Sequence, residues 1–197
     1  MSTPFSNAAG TLTLAAAGLW LVALIILVLG LGFSEDFDTT VYLIWSAATL
    51  AAGVVTLIAT LSLRQRRGNL GGLGTTGVVV LGVGVVASVL TWATPLWMTI
   101  QGVGMLLVAL SMRKTSIAPR TALVAYSSGM LIGVITFFVL TAMKVGTPDS
   151  YGDYPLAWAY GLAVGLTITA AGLYGIGRWL NSEQPADAAT TNQPLNA

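Results

Sequence analysis

Ser127 and Ser128, beside Gly129, put two hydroxyls inside a long apolar run, which is where an intramembrane serine nucleophile would have to sit. Such a nucleophile needs a general base to take its proton, yet the chain has no His, and no Lys lies inside an apolar run. Cysteine is absent as well, which removes thiol nucleophiles, disulfides and thiolate metal sites. Proton relay and ion coupling use Asp, Glu, His, Lys or Arg within a bundle, and the interiors of the runs contain none. The residues therefore predict a protein that is not an enzyme, and they call for no cofactor and no metal.

What is left is polar and uncharged. Gln101 lies beside Gly102 and Gly104, about two turns into an apolar run. An amide at that depth must find partners, because an unsatisfied one costs several kcal/mol in hydrocarbon. It would read the donors and acceptors of a neutral ligand, or bond Ser or Thr of a neighbouring helix, and the second reading is favoured. Ser46, Thr49, Gly53, Thr56 and Thr60 follow one another at spacings of 3, 4, 3 and 4, so they share one helix face. Their hydroxyls would line a small-solute path, or each would bond a carbonyl about one turn back on its own helix. The local reading is again the favoured one, since hydroxyls alone specify little.

The elements that carry these residues are six apolar runs, at about 9–32, 39–63, 70–91, 95–112, 121–143 and 156–178. Each is close to the roughly 20 residues that cross a bilayer as a helix. With 55% hydrophobic and 8% charged residues, the composition departs far from the roughly 25% charged of soluble domains. Seven of the eight basic residues lie at alternate joints: Arg64, Arg66 and Arg67, then Arg113, Lys114 and Arg120, then Arg178. The positive-inside rule puts those joints in the cytoplasm. The fold class expected is an all-α integral membrane protein, a six-transmembrane-helix bundle with both termini cytoplasmic, in the cell membrane. Glu35, Asp36, Asp38, Asp149 and Asp153 fall at the opposite joints, with the single basic exception Lys144. Trp92 and Trp97 bracket a tight turn and, like Tyr151, Tyr154, Trp158 and Trp179, are expected at an interface. Residues 181–197 hold too little apolar surface to fold and are expected to be a disordered cytoplasmic tail. A net charge of +1 gives no basis for nucleic-acid binding.

Helices in lipid associate where small residues let backbones approach. Gly129 and Gly133 have that spacing in the fifth run, and Gly161, Gly165, Gly172 and Gly175 share one face of the sixth. Leu12–Trp20 and Leu166–Tyr174 agree at six of nine positions, a weak internal echo.

Two roles follow. The first is a subunit or accessory partner of a larger membrane complex, or a homo-oligomer, packed through small-residue faces. The alternative is a carrier or substrate-binding membrane component for a neutral small molecule, using Gln101 with Ser46, Thr49, Thr56 and Thr60. In size, span number and orientation the chain resembles the small six-helix substrate-binding subunits of energy-coupling-factor importers. That resemblance implies a small-residue stripe on the first helix offered to a partner, which here would be Ala9, Thr13 and Ala17.

Overall fold

The structure, a computed structural model, describes residues 4–33, 39–67, 70–89, 94–112, 117–143 and 156–182. Among them there are six α-helices and no strand: α1 (Pro4–Phe33), α2 (Thr39–Arg67), α3 (Gly71–Ala87), α4 (Thr94–Ser111), α5 (Ile117–Ala142) and α6 (Leu156–Ser182). Helix is what these segments favour, because an apolar run satisfies its own backbone donors and acceptors only by bonding along itself. Pro4 opens α1, where its missing N–H breaks no helical bond. Gly71 opens α3 at φ 70, a left-handed conformation that a side chain resists. Three helices contain stretches long and apolar enough to cross a membrane, Ala8–Gly30, Thr40–Leu63 and Arg120–Val139. The acidic joints at 34–38 and 144–155 and the tail from 183 onward lie outside the described residues, although α6 carries two residues, Asn181 and Ser182, past the expected start of that tail.

Each helix lies against its neighbours in sequence, and α1 also packs against α6, so the bundle closes into a ring. The joint between α2 and α3 is the thinnest. Contacting residues show the antiparallel sense: Gly77 meets Val108 and Gly84 meets Gln101 between α3 and α4, while Gly129 meets Gly165 and Gly172 meets Tyr126 between α5 and α6.

Beside a buried apolar core, many large apolar side chains face outward and many uncharged polar ones inward. Leu21, Ile25, Val28 and Leu29 of α1, Leu43, Ile44 and Ile58 of α2, Val79, Val83 and Val86 of α3, and Ile135 and Phe138 of α5 are all exposed. Thr13, Thr49, Thr56, Thr60, Ser62, Ser88, Gln101, Ser127 and Thr169 are buried. A protein folded in water shows the opposite bias.

Three sequence expectations change here. Trp97, expected at an interface, is 1% exposed and belongs to the core with Trp20 and Trp45. Ala9, Thr13 and Ala17 are buried within the chain's own bundle and offer no stripe to a partner, because that face of α1 is the one turned inward. The echo between α1 and α6 does not place equivalent residues alike: Trp20 is buried while Tyr174 is 54% exposed, and Thr13 is buried while Thr167 is exposed.

Candidate functional site: the polar interior of the ring

Gln101 is fully buried on the inner face of α4, and its amide reaches three other helices. Nε2 donates to the carbonyl of Gly84 on α3 at 3.4 Å, and Oε1 accepts from the Tyr126 hydroxyl on α5 at 3.1 Å. A Cβ built on Gly53 of α2 would lie 3.5 Å from the same Nε2. The approach requires glycine on the α3 side, since a Cβ at Gly84 would stand 2.7 Å from Gln101 Cγ, whereas one at Gly53 would be in ordinary contact with the amide. Tyr126 as the partner was not legible in the sequence. Only the fold brings α4 and α5 into register.

The α2 stripe resolves into local bonds. Ser46 donates to Tyr42 O at 2.7 Å, Thr49 to Ser46 O at 2.9 Å, Thr56 to Ala52 O at 2.7 Å and Thr60 to Thr56 O at 2.8 Å. Each hydroxyl proton is spent about one turn back on its own helix, the arrangement open to any Ser or Thr in a helix. Thr56 also bonds another helix, where its Oγ1 accepts from Trp20 Nε1 of α1 at 3.1 Å.

Ser127 donates across to the Gly102 carbonyl of α4 at 2.8 Å, and Thr169 Oγ1 lies 3.5 Å from the Tyr126 carbonyl. The serine that resembled a nucleophile is thus an interhelical donor. Not every buried donor is used. Trp97 Nε1 has no hydrogen-bond partner.

The glycines expected to pack do so unequally. Between α5 and α6, a Cβ at Gly129 would meet Gly165 O at 2.5 Å, one at Gly165 would meet Gly129 O at 2.6 Å, and one at Gly172 would meet Tyr126 N at 2.6 Å. These are backbone against backbone. Gly161 faces the Thr136 side chain at 2.8 Å, Gly133 faces the Met98 methyl at 3.0 Å, and Gly175 has only Ala122 Cβ at 3.4 Å. A second close contact joins α3 to α4, where a Cβ at Gly104 would sit 2.5 Å from Leu81 N and one at Gly77 would sit 2.7 Å from Gly104 O. Its signal in the sequence was Gly77 and Gly84 seven residues apart, two turns on one face of a helix.

Among the described residues this interior can donate and accept hydrogen bonds, and its buried polar side chains are uncharged. Among the described residues no three His, Cys, Asp or Glu side chains group as a metal site would need. No family model, no curated protein and no solved structure matches the chain.

Proposed function

We propose that the chain is a non-enzymatic multi-pass membrane protein that serves as a subunit or partner in a larger membrane assembly, with six spans and both termini in the cytoplasm. The observation that carries this reading is the bonding of the interior. Gln101, Tyr126, Ser127, Thr56 and Trp20 are joined to one another or to neighbouring backbone, which is how polar side chains hold helices together in lipid. Catalysis needs a titratable or metal-binding group where the reaction happens, and the buried polar residues are hydroxyls and one amide. The apolar outer surface supports lipid as the solvent. The alternating basic joints support the orientation.

The test is the stoichiometry of the protein extracted from its own membrane in mild detergent and weighed by native mass spectrometry. A fixed ratio with another integral membrane protein, or with further copies of itself, is the expected result. A monomer free of partners in that experiment contradicts the proposal.

A second reading, a membrane component that binds a neutral small molecule, is favoured by one observation. The Trp97 indole N–H is buried without an acceptor, so the interior keeps donor capacity that has not been used to hold the bundle together.

A further inference from the structure

Three helices can be brought to a common level through Gln101. Gly53 of α2 and Gly84 of α3 both lie against it. On α3, rising residue numbers meet falling ones on both neighbours: Gly77 and Gly84 meet Val108 and Gln101, while Gly82 and Val85 meet Leu57 and Gly53. Helices α2 and α4 therefore run in the same direction, and α3 runs against them. One helical turn from the Gln101 level, toward the end where α2 and α4 begin, lie Thr49 of α2, Ser88 at the C-cap of α3 and Trp97 of α4. Each is 1% exposed.

Their hydrogen-bonding states are complementary. Thr49 donates to Ser46 O at 2.9 Å and Ser88 to Val85 O at 2.6 Å, so both protons are spent while the oxygens keep lone pairs. Trp97 has the reverse need, an N–H with nothing to receive it. A buried donor left without an acceptor costs about 1–3 kcal/mol. On the same face of α4, four residues away, Gln101 Nε2 has two protons and among the described residues makes one bond, at 3.4 Å to Gly84 O.

We propose that this layer binds a small neutral molecule presenting an oxygen acceptor, a ketone, amide or ether, to the Trp97 N–H. The molecule is neutral because the buried polar side chains around the ring carry no charge, and an ion left without a partner there would forfeit its hydration. It is small because the core is closed. Met98, the residue after Trp97 and buried with it in the core, has an unbranched side chain that refits readily. The α2–α3 joint is the thinnest of the ring and is the route the proposal assigns to a molecule dissolved in the membrane.

The proposal deepens the second reading above and rests on it. The experiment uses the full chain in lipid nanodiscs with ¹⁵N-labelled indoles, titrated with cyclohexanone, and with cyclohexane as a partner of similar size that lacks the oxygen. The Trp97 signal is assigned by Trp97→Phe or, should that variant not fold, by elimination with Phe variants of the other tryptophans. Expected is a saturable downfield movement of the Trp97 N–H proton with cyclohexanone alone, while the Trp20 N–H, already bonded to Thr56, stays fixed. Equal movement with cyclohexane, or a drift shared by Trp20, overturns the site. Saturation transfer from protein to cyclohexanone reports binding anywhere on the chain. Binding with an unmoved Trp97 overturns the site and leaves the second reading standing, and absence of both removes both.

Discussion

At the scale of single residues, the interior separates hydroxyls that serve their own helix from those that serve another. Thr56 takes part in both kinds of bond, since it donates to Ala52 O and accepts from Trp20 Nε1, whereas the bond made by the Thr60 hydroxyl runs to Thr56 O on its own helix. Thr56→Val keeps the shape and strands a buried indole N–H, so it should cost about 1–3 kcal/mol. Thr60→Val strands no donor on another helix and should cost less than about 1 kcal/mol. Unfolding of both variants in the same detergent checks the contrast, and equal losses would show that the link to Trp20 contributes nothing. Gln101→Leu leaves the Tyr126 hydroxyl and the Gly84 carbonyl without their side-chain partner. Its expected cost exceeds that of Thr60→Val in that assay, and a stability at or above the parent protein would remove Gln101 from the account. The spacing of the α2 stripe was readable in the sequence. The Trp20–Thr56 and Gln101–Tyr126 pairs were not, because they join residues 36 and 25 apart whose register is set by packing.

At the scale of helices, the small-residue pattern located the α5–α6 contact but did not rank its glycines. Gly165 stands against backbone on α5, which has no way to yield, while Gly133 meets the free end of Met98, and nothing lies within 4 Å of a Cβ at Gly18. Gly165→Ala should therefore disrupt the bundle, Gly133→Ala should be tolerated with a small loss, and Gly18→Ala should be harmless or mildly stabilising, as Ala is the better helix former by up to about 1 kcal/mol. Thermal midpoints in detergent read the order, and a Gly165→Ala variant as stable as Gly18→Ala would mean that α5 and α6 do not approach this closely. Gly133→Leu, unlike the alanine variant, must push against the α6 backbone as well as Met98 and should be destabilising. Trp97 shows where element-level reading failed. An aromatic near a helix start looks like an interfacial anchor, but position along a helix does not say which face a residue occupies. That depends on the rotation of α4, which is fixed by its glycine contacts with α3.

At the scale of the whole molecule, each run lies on one helix but the ends differ: α1 begins at Pro4, α2 runs on to Arg67, α3 stops at Ala87, α5 begins at Ile117 and α6 ends at Ser182. Hydropathy marks where lipid holds a helix and says little about a helix that continues past the apolar limit. The closure of α1 against α6 could not be read from the runs, since no sequence pattern states which non-neighbours meet. The central claim is that this ring is inserted as six spans with both ends on the cytoplasmic side. The chain has no cysteine of its own, so single cysteines at Ser34, Asn69, Thr115 and Ser150 can be labelled one at a time with a membrane-impermeant maleimide on intact cells. The account predicts labelling at Ser34 and Ser150 without permeabilisation, and at Asn69 and Thr115 only after it. Labelling of Ser34 and Asn69 from the same side of the membrane would contradict it.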